Sequence, residues 1–156
     1  MNPPLVIGVG NPYRRDDGVG LAVLAALGYG IEATGEALEL LGLMRDNDRV
    51  VLVDAMSVGA PAGTVSVLHC RDGRWDHPLP PSASTHGLGV GDALGLALAL
   101  GWAPVDLHVI GIETADRGYG EGLSPAVGAA VPKAAQIARA LTAPRPAGRP
   151  GHQPPP

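Results

Sequence analysis

Apolar residues fall into short runs divided by glycine- and proline-bearing turns, and the runs carry two different periods. Leu5-Val6-Ile7-Gly8-Val9 is continuous and stops at Gly10-Asn11-Pro12, as a strand buried on both faces does. Between Gly18 and Leu27, Val19, Val23 and Leu27 recur at spacing four, one face of a helix. Ile31 to Thr34 predicts a short strand, and Ala37 to Met44 a helix with Leu38, Leu41 and Met44 turned inward. Val50-Val51-Leu52-Val53 is the clearest buried strand, and it ends on Asp54. Thr64 to Leu68 alternates after a Pro/Gly turn, which predicts a strand nearer an edge.

Arg71 to Ser84 is polar and proline-rich and predicts a loop. A helix should start near His86, capped by Ser84 or Thr85, with Val90, Leu94 and Leu98 on one face. Leu107 to Ile112 is another buried strand, followed by a glycine-rich loop from Gly118 to Leu123. Ser124-Pro125 places a cap and then proline at a helix start. Val127, Val131, Ala134, Ala138 and Leu141 continue that helix face, and Pro132, lacking a backbone donor, should kink it. Strands and helices alternate, so the expected fold is a three-layer α/β domain with an open, mostly parallel twisted sheet and helices on both faces. The domain spans residues 1–142. Residues 143–156, mostly Pro, Gly, Arg and Gln, predict a disordered tail.

Composition narrows the function classes. Hydrophobic residues make up 46% of the chain and Phe is absent, so the core must be aliphatic. The net charge of −4 with no Lys/Arg block argues against a nucleic-acid surface. A single cysteine, Cys70, cannot form an internal disulfide and fits a reducing, cytoplasmic compartment. No secretory signal is readable, and no window approaches the roughly 18 apolar residues of a membrane span.

The candidate chemistry lies where strands end. In an open parallel sheet, ligands bind outside the carboxyl ends of the strands. Three polar segments are expected there: Gly8 to Gly20 with Asp16 and Asp17, Asp54-Ala55 after the Val50 strand, and Ser84-Thr85-His86-Gly87 at a helix start. Two carboxylates and one imidazole on converging loops form an incomplete metal site of mixed N/O donors, suited to nickel or zinc, with positions open for a substrate group or water. A histidine near a helix N-terminus should stay neutral, as a ligand must. Taken singly, each residue has a plainer use. Asp16 or Asp17 can cap the next helix, Asp54 can hold a loop, and His86 can be a packed or solvated side chain.

Together these segments resemble the hydrogenase maturation protease family. Gly8-Val9-Gly10-Asn11 with Asp16-Asp17-Gly18-Val19-Gly20 is similar to its opening motif, Val51-Leu52-Val53-Asp54-Ala55 to its strand ending in Asp-Ala, and Gly59-Ala60-Pro61-Ala62-Gly63-Thr64 to its proline-glycine turn. Ser84-Thr85-His86-Gly87-Leu88 resembles its histidine motif. Ile110-Gly111-Ile112-Glu113 and Gly122-Leu123-Ser124-Pro125-Ala126-Val127 resemble its last strand and last helix start. The match runs from about residue 5 to 142.

The resemblance implies a five-stranded twisted sheet between helices, of phosphorylase/hydrolase-like type, and an endopeptidase of aspartic or metal-dependent type. Such an enzyme cuts a short C-terminal peptide from the large subunit of a NiFe-hydrogenase after nickel insertion. Carried over, the metal ligands and catalytic residues are Asp17, Asp54 and His86. Nickel is then supplied by the precursor, the partner is that precursor, a monomer is expected, and a different divalent ion is expected to occupy the site in a crystal. The first ligand is often Glu in the family. Here it is the shorter Asp17, with Asp16 as fallback, and Glu36 stands where some relatives carry an acid linked to substrate choice. The water-activating group is left open between Asp17 and Asp54.

Three other functions match parts of the pattern. A dinucleotide-binding oxidoreductase lacks the third glycine of Gly-x-Gly-x-x-Gly, since Tyr13 stands there. A Cys70 nucleophile has only the adjacent His69 as base, so packing is its default role. A metal-dependent chaperone that binds the immature subunit without cutting it is compatible with the absence of a conventional nucleophile. For the tail, truncation after Pro144 should leave melting temperature and processing unchanged, because residues 145–156 offer almost no apolar surface. A large fall in melting temperature on truncation would show that the tail docks.

Overall fold

The computed structural model describes residues 2–78 and 90–144. Its frame is one mixed sheet with helices on both faces. The strands are β1 (Leu5–Val9), β2 (Ile31–Ala33), β3 (Arg49–Met56), β4 (Val65–Arg71), β5 (Arg74–Trp75) and β6 (Asp106–Glu113), in the order β2-β1-β3-β6-β4-β5. The first four in that order are parallel, while β4 runs antiparallel to β6 and β5 antiparallel to β4. The body of the sheet thus has the expected five strands. The sixth is a two-residue addition within the segment expected to be loop, where Asp72 and Gly73, both at positive φ, turn β4 back on itself.

Four helices close the layers: α1 (Val19–Leu27), α2 (Ala37–Arg45), α3 (Val90–Leu100) and α4 (Pro125–Thr142). Alternation along the strands sorts the core into two halves. Val51, Val53, Ile110 and Ile112 pack with α1 and α4, whereas Val50, Leu52, Leu107 and Val109 pack with α2 and α3. Burying both faces is what the continuous apolar strands required.

The predicted helix faces appear with one correction. Val19, Val23 and Leu27 are buried on α1, as are Val127, Ala134 and Ala138 on α4, with Val131 and Leu141 packed against them. On α2, however, Leu38 is 82% exposed and Leu40 is buried beside Leu41 and Met44. Because the helix begins at Ala37, its inward stripe is Leu40, Leu41, Met44, and Leu38 projects from the other side. Helix α4 continues through Pro132 as a single element. Ser84, Thr85 and the proposed start of α3 near His86 lie outside the described residues.

Topology places the site. The chain leaves β1 through α1 to β2 on one side, then returns through α2 to β3 on the other, so the connections diverge between the carboxyl ends of β1 and β3. Such a divergence is the usual location of ligands in open sheets. Close packing of α1 at this point depends on glycine. A Cβ on Gly20 would lie 2.3 Å from the Val9 carbonyl oxygen and 2.6 Å from that of Val53. We therefore expect Gly20→Ala to destabilise the fold by at least about 2 kcal/mol, as overpacking against unyielding backbone does. Urea denaturation checks this, and wild-type stability in the variant would show that α1 has room to withdraw.

Candidate active site

Two loops meet above the carboxyl ends of β1 and β6. After β1, residues 11–18 turn back through a 3₁₀ turn, Arg15–Gly18, and after β6 residues 114–124 lead into α4. Backbone pairs join them: Arg15 N–H donates to Gly120 O at 3.0 Å, Gly120 N–H to Tyr13 O at 2.9 Å, and Asp16 N–H to Asp116 O at 3.0 Å. Arg15 also pairs with Asp116 at 3.4 Å, and the Arg14 guanidinium donates to the Arg117 carbonyl at 3.1 Å.

Asp16 is the centre of this junction. Its carboxylate accepts the Ala115, Asp116 and Ser124 backbone N–H groups at 2.9, 2.8 and 2.6 Å, and the Ser124 hydroxyl at 2.8 Å. Burial alone would raise its pKa, but the hydrogen bonds from Ser124, Asp116 and Ala115 outweigh that and hold the carboxyl below its ordinary value. With its acceptor sites turned to the neighbouring loop, Asp16 is a structural group. Ser124 occupies the N-cap of α4, yet its hydroxyl serves Asp16 instead of the helix.

Asp17, next in sequence, faces differently. It is 1% exposed, and its Oδ2 accepts the Asn11 N–H at 3.1 Å. Close approach of β1 makes this possible, because a Cβ on Gly10 would lie 2.0 Å from the Asp17 carbonyl oxygen. Asp54 lies within β3, two residues before its end, because pairing with β6 continues to Met56 opposite Glu113. It is 5% exposed, and its Oδ1 accepts the Ala55 N–H at 2.8 Å. Desolvation, with the charge of Asp17 as a further contribution, pushes its pKa up to about 8, against the opposing effects of the Ala55 hydrogen bond and the Arg117 charge. Two of the three carried-over residues thus sit in one buried electrostatic neighbourhood at the carboxyl end of the sheet. The third, His86, lies outside the described residues.

Several neighbours carried no role in the sequence reading. Arg117 is the cation that tempers Asp54. Glu113 is 3% exposed and accepts the Val58 and Gly59 N–H groups at 3.1 Å, fixing the loop after β3. Glu113 closes β6 and Arg117 follows it, so the rule that drew attention to Asp54 applies to them equally. An apolar cavity of about 60 Å³ opens beside Asp54, lined by Met56, Leu68, Val90, Leu94 and Val109. Glu36 is exposed at the N-cap of α2 and makes no side-chain cap bond. Cys70 is fully buried with its thiol pKa raised by burial, which removes it as a nucleophile.

The buried pair has a thermodynamic signature. From about pH 4 to about 8 the folded chain holds a proton on Asp54 that the unfolded chain has released, so stability falls as pH rises. Asp54→Asn keeps shape and removes the titration. In chelator, the variant should gain on the wild type from pH 5 to pH 8 by about 1 kcal/mol per pH unit. Parallel stability–pH curves for the two proteins would mean that Asp54 is ionised throughout.

Comparisons with known proteins point to one family. The family model HycI, described as hydrogenase maturation protease, matches residues 31–141. The hydrogenase 2 maturation protease of Escherichia coli is 30% identical over 149 residues, covering 88% of this chain and 89% of that protein. The hydrogenase expression/formation protein HupD of Rhizobium leguminosarum is 26% identical, over 88% and 75% of the two chains. Among solved structures, the [NiFe] hydrogenase maturation protease HybD from Thermococcus kodakarensis superposes with a TM-score of 0.70 at 28% identity, covering 91% of this chain and all of that one. The E. coli hydrogenase maturating endopeptidase HybD gives 0.64 at 25% identity, over 89% and 91%.

Proposed function

The chain belongs to the hydrogenase maturation protease family, and from that premise we propose that it removes a short C-terminal peptide from the nickel-loaded precursor of a NiFe-hydrogenase large subunit. The observation that carries the proposal is the buried Asp17–Asp54 neighbourhood, in which like charge and desolvation oppose full ionisation. Such a pair is relieved by a proton or by a cation. With the His86 imidazole, the donor set is two carboxylates and one nitrogen, which fits a divalent ion of the nickel or zinc class. We assign these three residues to hold it. A divalent ion there would polarise the scissile carbonyl or a water.

The chain's own residues position and exclude. Asp54 Oδ1 accepts the Ala55 N–H, which leaves Oδ2 as the oxygen to hold a divalent ion, and such an ion would displace the proton that burial favours there. Asp17 is oriented by the Asn11 N–H and by the Asp16 junction behind it. The aliphatic cavity beside Asp54 would accept an apolar side chain near the cleaved bond. Glu36 follows the carboxyl end of β2 and is the residue we assign to substrate choice. Among the described residues no helix is long and apolar enough to cross a membrane. We place the enzyme in the cytoplasm as a monomer.

A cleft this plain has little power to choose one peptide bond unaided. Nickel held by the precursor's own thiolates is part of the substrate, and ligation by Asp17, Asp54 and His86 would bring the adjacent C-terminal bond into the cleft. Intact-mass analysis of the precursor tests this. Nickel-loaded precursor should lose its C-terminal peptide, metal-free precursor with chelator should not, and zinc should substitute poorly. His86→Ala should fold normally and fail to process. Efficient cleavage of metal-free precursor sinks the nickel-recognition step, and normal processing by the His86 variant removes that ligand.

A further inference from the structure

A second cluster of ligating side chains lies at the other end of the sheet. Asp106 opens β6 and Arg49 opens the adjacent β3, both at the amino ends of the parallel strands, whereas Asp54 lies near the carboxyl end. His69 on β4 stands directly across from His108 on β6, and Arg71 across from Asp106. Side chains two residues apart share a face, so His69, His108 and Asp106 project together on the α1/α4 side of the sheet. They are partly buried, with side-chain exposures of 20%, 16% and 13%.

The internal geometry is that of a ligand set with its supporting shell. His69 Nδ1 lies 3.0 Å from Asp76 Oδ2 on the chain following β5, and His69 Nε2 lies 2.6 Å from Asp106 Oδ1. At 2.6 Å a proton lies between Nε2 and Asp106 Oδ1; a bound ion would replace that proton, while the carboxylate of Asp76 accepting from Nδ1–H is the usual backing of a metal-bound histidine. Asp106 Oδ1 is also 3.8 Å from His108 Nδ1, and its other oxygen, Oδ2, is 3.8 Å from Arg49 Nε. One ligand atom from each of His69, Asp106 and His108 lies within 4.8 Å of the others. The two imidazoles stack at 4.0 Å with planes 6° apart.

We propose that His69, Asp106 and His108 bind a divalent transition metal of the zinc or nickel class, a site separate from the Asp17–Asp54 pair. Two imidazoles and a carboxylate suit these ions and leave a fourth position for water. Tetrahedral bonds of about 2.0–2.2 Å require His69 Nε2 and Asp106 Oδ1, now 2.6 Å apart, to separate by roughly 0.7–1 Å and the stacked rings to splay. The site is structural: it ties the antiparallel β4–β5 edge to β6, and its ion stabilises the folded chain by mass action.

The test uses the untagged full chain carrying Asp54→Asn and His86→Ala, so that the other proposed site cannot contribute. Zinc should bind this protein with a stoichiometry of one and raise its melting temperature by several degrees. It should also shift the imidazole NMR signals of His69 and His108. Adding His69→Asn or His108→Asn should weaken binding at least tenfold and abolish the thermal shift. The NMR titration of the parent protein decides the matter even if those variants fold poorly. Absence of stoichiometric zinc binding, or binding that leaves both imidazole signals unmoved, overturns the proposal.

Discussion

The site depends first on the Asp16 carboxylate. Its hydrogen bonds join a loop after the first strand to a loop after the last, 99 to 108 residues away in sequence. An ionised carboxylate has no reason to enter a protein interior unless donors replace its water shell, and here four do. The consequence is positional. The residue next to Asp16 inherits a fixed backbone, so Asp17 is held buried against the Asn11 N–H. Ser124 extends the same constraint to α4, whose first turn is anchored through the carboxylate.

Asp17 and Asp54 then form the opposite kind of arrangement. Asp16 is buried and satisfied, whereas Asp54 is buried and raised in pKa by desolvation and by its neighbour's charge. Adjacent acids in one motif thus differ: Asp16 is held by its donors, whereas the charge of Asp17 adds to the burial that raises Asp54. Arg117 moderates the tension without removing it, since its effect on Asp54 is smaller than that of desolvation. A stability cost concentrated at one carboxylate is what a site built to receive a cation or a proton should show.

How much of this was legible in the sequence varies by element. Long apolar runs declared β1, β3 and β6, and spacing-four patterns declared α1 and α4, because burial on two faces or one stripe dictates those periods. The exposed Leu38 was misread because a nine-residue helix admits two registers until its first residue is known. The β5 turn was missed because Asp72-Gly73 lies in a polar stretch whose extra strand is only two residues long. Asp54 was found by the strand-end rule. The different surroundings of Asp16 and Asp17 were not legible in the sequence, since they rest on donors supplied by residues 115–124, which no local pattern connects to them.

The glycines of the first motif follow from the same geometry. Gly8-x-Gly10 invites comparison with phosphate-binding loops, where glycine lets a ligand reach the backbone. In this chain the space is taken by protein. A Cβ on Gly8 would meet Leu24 at 2.5 Å, one on Gly10 the Asp17 carbonyl, and one on Gly20 two strand carbonyls. Glycine here draws α1 onto the ends of β1 and β3, and that approach brings Asp17 close enough for its charge to act on Asp54. The motif is therefore a packing device whose product is a pair of neighbouring carboxylates.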